Sequence, residues 1–468
     1  MPGKRKITIE TLTELGAPKL AELLLAEAAG NRQLKQAIEL AISAKEGPAV
    51  LGASVRKRLA TLAKSRSMPS YEKGRELIAE LVGLRTIIVE TIATKNSGLA
   101  FELLWELIEL HPSILELVDD SSGRVGDVFT TACYELGPLA ERANIDSDAL
   151  AAMALQKVTN NHYGIYDGLI RCLDAALGQE GRAKLRGLLL QRRQQYLTKD
   201  KVAAIAGGRY DFTLSSLSLA LRDIAEAEGD TDAFIDTYSG RDLTNPHFAS
   251  EIALHLLRSG RSEEALSYLD RAQPSDQNRH FGQHKWTEAR IAALDAVQRT
   301  DEAQALRLAF FQAHLSPSHL RAYLRRLPDF EDFEAEQRAL DYVVGHANVH
   351  AALGFLVEWP AHERAARLVL SRIKEIDGDR YELLDPAAGA IEGKYSLAAV
   401  LLRRSLIEVT LRKGRATRYK HAARHVREID SLNSQIKDYE SVETHDQFME
   451  RLKKTHPRKT GFWPLLHN

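Results

Sequence analysis

Two histidines four residues apart, His421 and His425, sit in a stretch of helical apolar spacing, which puts both imidazoles on one face within reach of a single metal ion. No third ligand accompanies them, and Arg418, Lys420, Arg424 and Arg427 in the same stretch repel a cation. The reading is two surface or partly buried histidines, with no metal site. A denser polar collection occurs at Asn160-Asn-His-Tyr-Gly-Ile-Tyr-Asp-Gly. Loops of this kind line pockets, which makes Asn160, Asn161, His162, Tyr163, Tyr166 and Asp167 a candidate binding loop. The structural alternative is a helix stop at Gly164, with Asp167 capping the next helix and Tyr163 and Tyr166 packed as staples. Asp119-Asp-Ser-Ser-Gly divides similarly between an ion site and a helix cap at Ser121 or Ser122 with Asp120, and a cap selects those residue types.

Basic residues gather in two places. Arg56, Lys57, Arg58, Lys64 and Arg66 lie opposite Val55, Leu59 and Leu62, and Arg403, Arg404, Arg412, Lys413, Arg415 and Arg418 form a second group. Residues 1–70 carry roughly +6 and residues 401–468 roughly +7, so a net charge of −1 leaves the middle near −14. Arg403, Arg404, Arg415, Arg418 and Arg424 are therefore candidate contacts to phosphate or to a partner. Solvated faces, or pairing with the acidic middle, are the alternatives. No GxxxxGK[ST], GxGxxG after a strand, HExxH or GxSxG occurs, which moves the common hydrolase, kinase and dehydrogenase classes out of the front rank. No catalytic residue and no cofactor is assigned.

The elements that hold these residues read as helices throughout. Pro18 to Ala28 and Arg32 to Ser43 form a first hairpin, with Pro18 in a first turn and Gly30 where a left-handed cap belongs. Further helices are expected near 50–64, 71–94, 98–110, 124–142, 146–160, 167–177 and 180–197. The β-branched run Thr86-Ile-Ile-Val falls inside helical spacing and is read as helix. Phe248 to Gly260 followed by Arg261 to Ala272 looks like a tetratricopeptide-type hairpin: Ala253, Ala265 and Ala272 allow close approach, Gly260 caps, and Leu256, Leu266 and Leu269 fill the seam. A looser copy spans Trp286 to Ala313, and further hairpins run through His362 to Ile373 and Tyr381 to Lys413. A basic amphipathic helix follows over Ala416 to Ser434. Phe462 and Trp463 in the tail are read as a docked cap, with a peptide-like interaction tail as the rival.

The fold class is thus all-α, a degenerate α-solenoid of stacked hairpins without a fixed period. The expected segments are 1–198, 212–436 and a capping tail over 437–468, with the polar stretch Thr198 to Asp211 as the boundary. At 468 residues the chain exceeds what one core serves, and 14 prolines suit long helices. Two cysteines, Cys133 and Cys172, exclude a disulfide framework, and neither a signal peptide nor a spanning run is present. A cytoplasmic chain away from membranes is expected.

Several strings carry a family likeness: Leu15-Gly-Ala-Pro-Lys-Leu-Ala-Glu-Leu-Leu, Arg56-Lys-Arg-Leu-Ala-Thr-Leu-Ala-Lys-Ser-Arg-Ser, Tyr163-Gly-Ile-Tyr-Asp-Gly-Leu-Ile, Tyr395-Ser-Leu-Ala-Ala-Val-Leu-Leu-Arg-Arg, Arg418-Tyr-Lys-His-Ala-Ala-Arg-His and Arg458-Lys-Thr-Gly-Phe-Trp. Together with Asp119-Asp-Ser-Ser-Gly they span nearly the whole chain, which resembles a bacterial, largely proteobacterial, family of all-helical proteins without assigned function. The later strings are also similar to the helical region beside SWIM-type zinc fingers, but the finger's CxC and HxC are missing here. The likeness implies one co-linear unit and brings no catalytic residues. The leading expectation is a non-enzymatic scaffold or adaptor for a protein partner, since solenoids present long binding surfaces. Nucleic-acid association through the basic ends is the second, and an enzyme with an unrecognised site at His162, Tyr163, Tyr166 and Asp167 the third.

Overall fold

The computed structural model describes residues 8–64, 71–161, 163–197, 211–274 and 282–466. These residues are helices and turns with no β-strand among them, so the all-α reading holds. They fall into two units, Met1–Asp242 and Leu243–Asn468. Apart from Asp211, the boundary stretch expected from the sequence lies outside the described residues.

The first unit runs α1 (Ile9–Thr13), α2 (Ala17–Gly30), α3 (Arg32–Glu46), α4 (Pro48–Ala63), α5 (Tyr71–Thr86), α6 (Ser97–Ile108), α7 (His111–Leu115), α8 (Arg124–Arg142), α9 (Ser147–Thr159), α10 (Leu169–Tyr196), α11 (Phe212–Glu228) and α12 (Thr231–Ile235). Thr86-Ile-Ile-Val is helical as expected, but the chain widens there into a π-type turn over Ile87–Ile92. Gly30 is an ordinary helical residue and not the left-handed cap expected. Asn31, extended at φ −117°, turns the chain and caps α3 by accepting the Leu34 N–H at 3.0 Å. The two helices expected on either side of Gly178 are α10, which breaks at that residue (φ 57°, ψ −169°).

Packing follows the chain. α2 lies on α3, α3 on α4, α4 on α6, α6 on α8, α8 on α10, and α10 on both α9 and α11. This nearest-neighbour pattern is how stacked hairpins bury a continuous core from helices that are apolar on one face only. In α8 that face is Val125, Val128, Phe129, Ala132, Cys133, Leu136, Leu139 and Ala140, all buried at three- and four-residue spacing. The α8–α10 seam is tight enough that a Cβ at Gly137 would stand 1.8 Å from the Cys172 carbonyl oxygen.

The second unit contains α13 (Pro246–Arg258), α14 (Ser262–Arg271), α15 (Gln283–Ala296), α16 (Thr300–His314), α17 (Pro317–Leu324), α18 (Glu331–Gly345), α19 (Val349–Glu358), α20 (His362–Arg372), α21 (Tyr381–Ile391), α22 (Ser396–Arg412), α23 (Tyr419–Asn433) and α24 (His445–Thr455). The tetratricopeptide-like hairpin is α13–α14. Ala253, Leu256, Ala265, Leu266, Leu269 and Ala272 are buried as expected, and Gly260 takes φ +75° at the turn. From α18 to α22 each helix touches the next and the next but one, a solenoid register without a strict period. Phe462 is fully buried, its ring edge 5.9 Å from Tyr419, and the Trp463 indole N–H donates to the His456 carbonyl at 3.1 Å.

The Gly137 seam yields a paired test. Gly137→Ala forces the α8 and α10 backbones apart and is expected to cost about 3 kcal/mol or more, while Gly187→Ala, in open space on α10, adds about 0.5–1 kcal/mol through helix propensity. Chemical denaturation of the two variants should move in opposite directions.

Candidate functional site

The polar loop of the first unit closes on itself. The Asn161 side chain is buried, accepts the Tyr166 N–H at 3.1 Å and donates to the Asp167 carboxylate at 2.6 Å. Asn160 donates back to the Gln156 carbonyl at 3.0 Å, and Gly164 makes the turn at φ +71°. Tyr166 is buried with its ring 5.4 Å from the His111 ring, which also meets the half-exposed Tyr163 edge-on at 6.0 Å. His162 lies outside the described residues. The loop therefore works as a helix stop with its own internal bonds. Asp167, expected as the next cap, instead bonds Asn161, and α10 starts at Leu169. In the Asp119–Gly123 turn the cap is Asp120 alone, which accepts the Val125 and Gly126 N–H groups at 3.0 and 2.8 Å.

Behind the loop, α11 carries a group that sequence reasoning missed. Asp223 is only 5% exposed, and among the described residues its ion-pair partner is Arg171, 3.5 Å away on α10. Its Oδ2 is buried and has no hydrogen-bond partner among the described residues. Burial is the main cause that pushes its pKa from 3.8 to about 7; Glu226 and Asp167 add to the rise, while Arg171 and Arg222 oppose it. Burial likewise lifts the Cys133 thiol to about 12 and Cys172 to about 11, which makes both poor nucleophiles.

The basic residues of the second unit divide by depth. Arg403 and Arg404 are each 4% exposed on α22, which removes them from the basic surface the sequence suggested. Arg403 donates to Glu428 at 2.8 Å and to Glu392 at 2.5 Å. Arg404 donates to the Glu443 carbonyl at 2.8 Å, with its guanidinium 4.7 Å from the Phe448 ring centre. Arg424 bonds Asp385 and the Tyr381 hydroxyl at 2.8 and 2.9 Å. Arg415 and Arg418 stay nearer solvent and, with Lys413, converge on Asp379 at 2.5, 3.6 and 2.8 Å. They stand beside a cavity of about 270 Å³ lined by His350, Asp379, Arg380, Tyr381 and Arg418. In the N-terminal cluster Arg56 is paired with Glu102 and Glu106, and Arg58 with Glu80. Arg66 lies outside the described residues.

His421 and His425 do not act as a pair. His425 is 1% exposed, with Nδ1 2.9 Å from Glu428 and 3.8 Å from Asp385, whereas His421 meets the Tyr381 ring edge at 5.7 Å. Asp385, His425 and Glu428 lie within 4.8 Å of one another, a spacing that suits a metal ion. Both carboxylates, however, already hold guanidiniums of Arg424 and Arg403, and burial drives the imidazole toward its neutral form, so the cluster is an ion-pair network.

Two groups of exposed apolar side chains stand close together in the chain. α2 buries only Ala28 and exposes Leu23, Leu24 and Leu25, with Leu25 at 68%. At the start of α18, Phe330 is 89% and Phe333 65% exposed. The second surface was legible in principle, because Asp329-Phe-Glu-Asp-Phe-Glu alternates acids and aromatics at the opening of a helix.

These features define a class, an all-α protein of stacked helical hairpins. The chain belongs to the family described as "Family of unknown function (DUF6880)", which matches residues 4–465. No curated protein matches it. Among solved structures, a circular tandem repeat protein with novel repeat topology and enhanced subunit contact surfaces is similar at 15% identity over 96% of this chain and 97% of that one. Its TM-score of 0.19 is too low to carry an argument. No helix among the described residues is long and apolar enough to cross a membrane.

Asp223 gives a pH signature. Its folded pKa is raised, so below about pH 4 both states are protonated and nothing is lost; as pH climbs toward 7 the unfolded chain releases a proton that the folded chain keeps, and stability falls. The full difference corresponds to roughly 4 kcal/mol. Asp223→Asn should be the more stable protein at pH 8, and the gap should close by pH 4 in thermal melts.

Proposed function

We propose that the chain is a non-catalytic helical scaffold that holds a protein partner against its N-terminal helices, in a bacterial cytoplasm. The observation that carries this reading is the run of exposed leucines on α2. A solvent-facing helix surface is ordinarily polar. Here Leu23, Leu24 and Leu25 remain exposed, with Ile9, Leu12 and Leu15 before them and Ile42 on α3. An apolar surface of this kind on a soluble unit marks an interface.

Charge selects the occupant. Exposed Glu10, Glu14, Glu22 and Glu27 border these side chains, and the one cation on α1 and α2, Lys19, is bonded to Glu22 at 2.7 Å. A partner helix with an apolar stripe and basic flanks satisfies both features. A second copy would bring the same carboxylates face to face, and anionic lipid headgroups would meet the same repulsion. Two free cysteines support a reducing setting.

The test uses two synthetic amphipathic helices of equal apolarity, one built on leucine and lysine, the other on leucine and glutamate. Wild-type protein should bind the lysine peptide at least tenfold more tightly, and Leu23→Gln/Leu24→Gln/Leu25→Gln should abolish binding while the circular dichroism and melting temperature stay unchanged. Equal binding by the folded triple variant would remove α2 from the function.

One observation favours a second reading. Lys413, Arg415 and Arg418 share a single carboxylate and so keep an excess of positive charge near solvent. If they contact phosphates, binding of a single-stranded oligonucleotide falls steeply between about 50 and 200 mM salt. Lys413→Glu/Arg415→Glu/Arg418→Glu should then eliminate it, and an unchanged affinity in a filter-binding assay would end the nucleic-acid reading.

A further inference from the structure

We propose that the corner at the start of α18 is a second docking element, in which the phenyl rings of Phe330 and Phe333 insert into an apolar slot lined by arginine or lysine on a partner protein. Three features of Phe330 work against the stability of the isolated chain. Its ring is 89% exposed. Its backbone stands at φ 75°, ψ −23°, in the left-handed region that a bulky aromatic residue rarely occupies. It also holds the N-cap position of α18 and makes no side-chain cap bond, leaving Asp332 to accept the Phe333 N–H at 2.8 Å. Phe333, one turn on, is 65% exposed. A fold that tolerates strain, a forfeited cap and two bare phenyl rings at one turn gains nothing from them internally. Backbone strain of this kind collects at binding sites.

The chemistry of the receiving surface follows from the neighbours. Asp329, Glu331, Asp332 and Glu334 are all exposed. Among the described residues the first three form no ion pair, and Glu334 reaches only Arg338 at 3.5 Å, with both side chains mostly in solvent. The acids at 331, 332 and 334 suit the positive end of a helix, but that effect does not call for phenylalanine beside them. An apolar slot alone would leave the carboxylates desolvated and unpaired. Guanidinium or ammonium groups around the slot would pair with them and also lie over the ring faces. An anionic membrane surface is excluded by the same charges. The corner lies in the second unit and the proposal stands whether or not α2 binds anything.

The experiment immobilises the full-length protein and challenges it with host lysate in the presence of free peptide Pro-Asp-Phe-Glu-Asp-Phe-Glu-Ala-Glu, copied from residues 328–336, or of its counterpart with both phenylalanines replaced by alanine. A polypeptide that the parent peptide displaces and the alanine peptide does not, whose recovery drops severalfold as salt rises, and which Phe330→Ala/Phe333→Ala fails to retain, is the expected result. Phe330→Gly supplies a readout that a structural role would not give. It accepts φ 75° without strain, so the melting temperature should rise by about 2 °C while retention of that polypeptide is lost. A fall in melting temperature with Phe330→Gly would make the ring a packing residue and overturn the proposal. So would displacement by both peptides equally, or retention unchanged in the double alanine variant. Sedimentation of the purified protein covers the remaining case: self-association that the double variant abolishes would make a second copy the occupant, and the proposed partner would be wrong.

Discussion

At one seam in each unit the chain approaches until backbone meets backbone. In the first unit Gly137 of α8 lies against the Cys172 carbonyl of α10, and in the second the turn before α21 comes as near to α22, where a Cβ at Gly378 would stand 2.1 Å from the Ser405 carbonyl oxygen. At both places only glycine fits, because any side-chain carbon would fall inside the van der Waals radius of the neighbouring peptide. The rest of the packing depends on these approaches. With α8 and α10 seated so closely, Phe129, Leu136, Leu173 and Leu177 are buried in one core. In the second unit Leu401, Leu402, Leu406 and Ile407 of α22 are buried in another.

Close seams leave polar groups two outcomes, pairing within the seam or expulsion to the surface. Arg403 is the clearest case of the first. Buried on α22, it bridges Glu392 and Glu428, and Glu428 in turn meets His425. Removing either partner would strand a buried charge, so the cluster constrains how α21, α22 and α23 can fit together. Asp223 is the incomplete version of the same arrangement. Its ion-pair partner Arg171 is half solvated, and burial raises the pKa of its carboxyl to about 7.

Some apolar side chains are not absorbed by the seams, and two groups of them stand close together in the chain. Leucines on α2 and phenylalanines at the α18 corner are both exposed, each with exposed carboxylates close by in the chain. That shared combination, apolar contact with an acidic border, draws the functional reading toward basic protein surfaces and away from a reaction centre. The polar loop that looked most like a reaction centre in the sequence is instead closed by Asn161, whose amide spends both ends on the loop itself.

Much of the architecture was legible residue by residue. Three- and four-residue apolar spacing marks α8, and the pairing of Ala253 and Ala265 with Gly260 marks the α13–α14 hairpin, because local periodicity and turn chemistry act within a few residues of chain. Depth is not local. Arg403 and Arg418 are the same residue type in the same basic region, yet one is 4% exposed and the other lies near solvent, since each position depends on which helix arrives from far along the chain. The same holds for Asp223, whose altered proton affinity comes from burial between helices, and for the leucines of α2, which are apolar in sequence yet exposed in the fold. The sequence by itself determined where helices begin, turn and show an apolar side. Only the tertiary structure decided which of those sides are covered, because burial is a property of the neighbour and not of the residue.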